Sequence, residues 1–187
     1  MHMSAILEAY QWFAGYHPSS NKARNTIKCR KEESICFITC ICIETPLSSM
    51  RIITVELRAA AIPGVPGLIA DHHWLLVSRR TAAGRVESYD RWEVWQRANK
   101  NESCWGHLHK NLLQPFQGVG NGPSRLIQKW INDDAFSLVE KIESSPNDYP
   151  FLDNYKYWPG PNSNTYAQWV VKDKIKLGIR AIGKSFK

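Results

Sequence analysis

The amino-acid sequence predicts an α+β domain in which an antiparallel sheet carries C-terminal helices packed on one face. Three observations lead there. Between residues 52 and 112, short runs rich in β-branched and aromatic residues recur at the spacing of a meander, divided by Pro-Gly and Ala-Gly turn signals. Beyond Pro123 the apolar period lengthens to that of a helix. Eight Trp and seven Tyr in 187 residues supply the large flat side chains that dominate a core of this size.

The elements follow in order. Residues 1–49 differ from the rest and are expected to form an N-terminal extension to a domain at 50–187, with Met50 an alternative start. Within them, residues 4–15 set Ile6, Tyr10 and Phe13 at helical spacing, residues 17–33 read as loop, and the β-branched stretch 35–44 reads as a strand. Residues 52–58 alternate as a strand, and Ile62-Pro-Gly-Val-Pro-Gly67 makes a stiff turn. Strands are expected at 72–78, 86–96 and 104–112. Ser124 is a suitable N-cap for a helix with Leu126, Ile127, Trp130 and Ile131 on one face. Asp133 or Asp134 would cap the next, with Phe136, Val139 and Ile142 inward and Ser144-Ser-Pro146 as its stop. The last helix is expected from Ser163 or Asn164, with Tyr166, Trp169 and Val170 inward.

Composition narrows the function classes. The formal charge of +7 permits attraction to nucleic acid or anionic lipid. The basic residues are scattered, however, densest at 28–31 and 172–187. No RNA-binding aromatic motif, zinc finger or continuous basic helix accompanies them, so nucleic acid is not indicated. The five cysteines (Cys29, Cys36, Cys40, Cys42 and Cys104) are odd in number and lack CxxC spacing. Free thiols in a reducing compartment are the simplest reading. The N-terminus has no signal-peptide pattern and no apolar run approaches the roughly 20 residues a membrane span requires. A soluble, cytoplasmic protein is expected, with no cofactor.

One segment carries chemistry. In Tyr155-Lys-Tyr-Trp-Pro-Gly-Pro-Asn-Ser-Asn-Thr-Tyr-Ala-Gln-Trp-Val170, two prolines and a glycine pin a loop against a helix start, and four small polar residues follow. The first-turn N–H groups lack helical partners, and with the helix dipole they favour an anion or a developing negative charge. This string resembles the hallmark of a bacterial family known only as a domain of unknown function. The resemblance extends over Val55-Glu-Leu-Arg-Ala-Ala60, His72-His-Trp74, Tyr89-Asp-Arg-Trp-Glu-Val94, Gly120-Asn-Gly-Pro123, Tyr149-Pro150 and Ala181-Ile-Gly-Lys184, about three-quarters of the chain.

A more distant similarity is to circularly permuted papain-like enzymes of the NlpC and lecithin-retinol acyltransferase types. There a strand histidine precedes a nucleophile set as Asn-Cys-x-x-Phe at a helix start. Asn162-Ser-Asn-Thr-Tyr166 has that layout, with Ser163 in the cysteine's place. The resemblance implies a permuted papain-like topology and a Ser/His hydrolase of amides or esters. Ser163 would attack, His72 or His73 would take its proton, and Asn162 with nearby N–H groups would hold the oxyanion. Alternation sends His72 and Trp74 to one sheet face and His73 to the other, which favours His72. Glu93, Glu87 or Asp90 would orient the imidazole. Serine needs that base more than a cysteine does, because a thiol at a helix start is already partly ionised.

Two rival readings stand beside this one. In a non-catalytic binding module, Trp158, Asn164, Thr165 and Trp74, with the aromatics Trp92, Trp95, Trp105, Tyr155 and Tyr157, would hold a small molecule, peptide or glycan. A metal site would draw on His107-Leu-His109 and Asp71-His-His73. No HExxH motif is present and no metal is expected. The Gly118–Gly122 run lacks the Lys-Ser/Thr of a P-loop.

Overall fold

The computed structural model describes residues 51–187; the helix and strand expected within residues 1–49 lie outside the described residues. Five strands form one sheet: β1 (Arg51–Ala61), β2 (Asp71–Thr81), β3 (Val86–Asn101), β4 (Cys104–Lys110) and β5 (Asn121–Ile131). Their order across the sheet is β4-β3-β2-β1-β5, and each neighbouring pair is antiparallel. Two helices follow, α1 (Asp133–Asp148) and α2 (Ser163–Val171). The architecture is α+β, with the C-terminal helices against the sheet.

The alternation predicted for β2 sorts the core. Leu75 and Val77 face one way, with Val55 and Leu57 of β1 and Trp92 and Val94 of β3, and this face meets Leu138, Ile142, Tyr166 and Val170 of the helices. The opposite face carries His72, Trp74 and Leu76. The register sets Trp74 beside Arg58, and Leu76 beside Glu56 and Arg91. Residues 111–120 cover this second face. Arg91 Nη1 donates to the carbonyls of Gln114 (2.8 Å) and Gln117 (2.6 Å), and Trp74 Nε1 to Pro115 O (3.2 Å). Arg58 stacks over Phe116 and Arg91 over Trp74, 4.9 and 4.1 Å from the ring centroids. Burial on both faces explains why every residue from Asp71 to Ser78 is inaccessible.

Two expectations are corrected. The helix expected from Ser124 is instead β5, paired to β1 through Val55↔Trp130 and Arg58↔Leu126. Only Trp130 of its apolar residues is buried; Leu126, Ile127 and Ile131 are exposed. The free edge of β1 takes the segment, and tertiary pairing overrides a helical apolar pattern. Secondly, α1 runs past Pro146. Proline removes the N–H that would bond the carbonyl four residues back, and Ser145 Oγ donates to that carbonyl, Ile142 O, at 2.5 Å.

Candidate functional site

The loop before α2 is built to hold that helix's first turn. Asn162 is its N-cap; its Oδ1 accepts from the N–H of Asn164 (2.9 Å) and Thr165 (3.3 Å), while Thr165 Oγ1 accepts from the Asn162 N–H at 3.1 Å. This is a capping box closed from both sides. The C-terminal segment straps it in place. Asn162 Nδ2 donates to Tyr157 O and Ile182 O, Asn164 Nδ2 to Asp71 O and Ile182 O, and Thr165 Oγ1 to Gly183 O. Gly183 has φ +91°, and a Cβ there would come within 2.3 Å of Asn162 Nδ2, so the strap needs glycine. Both Nδ2 hydrogens of Asn162 are thereby committed. The neighbouring Ser163 N–H forms no hydrogen bond to the described residues.

The two strand histidines are held differently. His73 reaches the helix side, where its Nδ1 lies 2.8 Å from Asn164 Oδ1. Because the Asn164 amide nitrogen donates to two carbonyls, its oxygen accepts and His73 Nδ1 carries the proton. Burial pushes the His73 pKa down to about 4, so the ring is neutral at neutral pH. His72 lies on the other face, with its Nε2 2.8 Å from Glu93 Oε2. Its ring sits 5.2 Å from that of Trp95 and 6.0 Å from that of Trp74.

Of the three carboxylates considered for His72, Glu93 is the one beside it. Glu87 pairs with Arg51 at 3.1 Å, and Asp90 with Arg79 at 2.9 Å. Glu93 and Arg91 have fully buried side chains. Arg91 Nη2 donates to Glu93 Oε2 at 2.8 Å. Its Nε also approaches Oε1 to 2.8 Å, close enough for charge attraction but off the angle of a hydrogen bond, so both atoms count as unbonded. Burial alone would raise the Glu93 pKa; His72 and Arg91 outweigh it and hold the carboxyl below its ordinary value. Sequence reasoning missed Arg91. The available signal was its place two residues before Glu93, which puts both side chains on one strand face.

A cavity of about 530 Å³ opens where β2 begins. His72, Asn162, Ser163, Asn164 and Trp158 line it, with Trp95, Tyr155 and Tyr157 among its aromatic walls. Trp74 and Thr165 lie outside it: Trp74 is under Arg91, and Thr165 is bound to Gly183. His73 and Glu93 stand behind the lining. Ser163 is 5% exposed, and its Oγ makes no hydrogen bond to the described residues. Among the described residues, the side-chain atoms sealed from solvent without a bond are Arg58 Nε, Arg91 Nε, Glu93 Oε1 and Tyr149 Oη. Neither Ser163 Oγ nor His72 Nδ1 is among them, and both residues line the cavity.

Asp71 closes one side of the cavity. Arg180 binds it through Nε and Nη2, both at 2.9 Å, and Arg125 also contacts it. Burial opposes its charge, yet the two guanidiniums hold its pKa below the usual value. The histidines weighed for a metal are otherwise engaged: His107 Nδ1 with Trp95 O at 2.8 Å, and His109 with Arg97 O at 2.9 Å and Cys104 Sγ at 3.0 Å. Among the described residues no three His, Cys, Asp or Glu side chains are arranged to hold a metal ion.

A family model described as "Protein of unknown function (DUF3750)" matches residues 52–186. The chain belongs to this family. The DUF3750 match covers every element of the sheet, both helices and the Gly183 strap. No curated protein and no solved structure matches the chain. Among the described residues, no helix is long and apolar enough to cross a membrane.

Proposed function

We propose that this DUF3750 chain is an acyl hydrolase of amide or ester bonds, with Ser163 as nucleophile, His72 as general base and Glu93 as its orienting carboxylate. One observation carries the reading: Ser163, whose Oγ is unbonded among the described residues, lines the same cavity as a histidine whose Nε2 is held by a buried carboxylate. With Nε2–H donated to Glu93, the Nδ1 lone pair of His72 is the basic site left to the cavity. It takes the Ser163 proton as Oγ adds to the acyl carbon, and later returns it to the leaving group. The oxyanion forms next to the free Ser163 N–H at the positive end of the α2 dipole. Arg91 acts through Glu93, keeping it ionised. The layout supports the permuted papain-like comparison: a strand histidine first, then a nucleophile at a helix start. Cytoplasmic location is part of the same reading.

The test is labelling with a fluorophosphonate probe, which phosphonylates an activated serine. The native chain is expected to label and Ser163→Ala to be blank. His72→Gln should label at least about a hundredfold more slowly, the usual worth of a general base. Unchanged labelling of Ser163→Ala would end the hydrolase reading.

A second reading has its own support. His72 and His73 are hydrogen-bonded to Glu93 and Asn164 and not to Ser163, and Trp95, Tyr155, Tyr157 and Trp158 stand among the walls. A binding module would hold a small molecule, peptide or glycan there without chemistry. Equal ligand affinity of native and Ser163→Ala protein, with no labelling of either, would select it.

A further inference from the structure

The rim of the cavity is apolar and open to solvent. Val65, Leu68 and Ile69 on the turn after β1, Tyr157 and Trp158 before α2, and Ile179 are all exposed, Trp158 by 75% and Ile179 by 91%. They share one place. Ile69, Tyr157 and Trp158 line the cavity, and Arg180 donates to the carbonyls of Gly67 and Leu68, which brings Ile179 beside that turn. Scattered apolar side chains are ordinary on a surface, but a contiguous set marks a place of attachment.

The charge around this rim points to what attaches. Residues 172–187 carry six basic side chains and the acid Asp173. Arg180 is taken up by Asp71 and Lys174 lies 3.9 Å from Asp134, which leaves Lys172, Lys176, Lys184 and Lys187 as the cations of this segment without a carboxylate partner among the described residues. Lys176 and Lys187 in this segment are exposed, as is Lys156 beside Tyr157. Cores of protein–protein interfaces are depleted in lysine. Interfacial membrane binding combines the opposite features: apolar tips that enter the acyl boundary, Trp and Tyr at headgroup depth, and Lys or Arg against anionic headgroups. We propose that this rim docks the protein peripherally on anionic lipid bilayers, with the cavity mouth turned to the lipid. The proposal is independent of whether Ser163 is a nucleophile.

The experiment is co-sedimentation of the full chain with vesicles of phosphatidylglycerol and phosphatidylcholine, and with vesicles of phosphatidylcholine alone. Binding is expected on the anionic vesicles, weakened about tenfold on neutral ones and by added salt. Leu68→Asp and Ile179→Asp, which lie outside the cavity lining, should each cut binding about tenfold while thermal unfolding stays unchanged. Lys176→Glu with Lys187→Glu gives a second readout that spares the apolar tips, and is also expected to weaken binding. Ser163→Ala is expected to bind like the native chain, so failure of the hydrolase reading leaves this result standing. Absence of vesicle binding, or undiminished binding by every variant, overturns the proposal. So does a native chain that ignores vesicles but self-associates through this rim, seen as Ile179→Asp lowering the mass by light scattering.

Discussion

The two faces of the sheet are buried by different means, and the candidate site sits where they meet. On the helix side, aliphatic and aromatic side chains of α1 and α2 interlock with β1, β2 and β3. On the loop side, residues 111–120 lie over Arg58, Trp74 and Arg91, and ions and carbonyls are brought out of water there beside Trp74 and Leu76. Apolar packing is non-directional and tolerates small adjustments. A buried charge is tolerated only with its partner in place. The helix side thus supplies stability, whereas the loop side fixes one orientation of His72.

Substitutions sharpen that contrast. Arg91→Met leaves Glu93 buried without its cation, and a loss of about 4 kcal/mol is expected by chemical denaturation. Adding Glu93→Gln should recover much of it, and strict additivity of the pair would break the ion-cluster account. On the helix side, Ile142→Ala should cost about 3 kcal/mol through lost transfer energy and a cavity. No second change to a charged group should rescue that loss.

Acid separates the faces by pH. His73, with a pKa of about 4 when folded against 6.5 ordinarily, binds its proton in the unfolded chain first. Its contribution to stability therefore declines as pH falls from 6.5 to about 4, by on the order of 2 to 3 kcal/mol. Glu93 is held below its ordinary 4.5, so its contribution is present above that pH and is lost only as pH falls further, through the folded value. Urea midpoints measured between pH 7 and 3 should show two limbs. His73→Gln should remove the upper one, and its persistence would assign it elsewhere. The smallest effect expected is from Asn162→Ala, about 1 to 2 kcal/mol for a lost N-cap.

The pattern of what the sequence revealed follows from the range of the forces involved. β1 to β4 were legible because alternation and turn residues are local signals, and α2 because a Pro-Gly-Pro loop and small polar residues mark a helix start ahead of Tyr166, Trp169 and Val170 at helical spacing. The strand phase also placed His72 and Trp74 together correctly. β5 was not legible: what makes Leu126 and Ile127 extended is an unpaired edge about 70 residues upstream. Where α1 passes Pro146, the Ile142 carbonyl left without its N–H partner accepts from one hydroxyl, Ser145. At the site, Glu93 was one candidate among three until the register of β2 and β3 set it next to His72. The cover formed by residues 111–120 left no periodic trace, since it acts through backbone carbonyls.

The Gly183 strap has a consequence for biogenesis. The cap of α2 is completed by carbonyls at positions 182 and 183, well after the sheet and the helix they hold. Domains form from the N-terminus outward during synthesis, so the sheet can pair while α2 is still without its anchor. The cavity is therefore expected to close only after residues 182 and 183 have left the ribosome, and a nascent chain stalled before that point should show a folded sheet without a formed cavity.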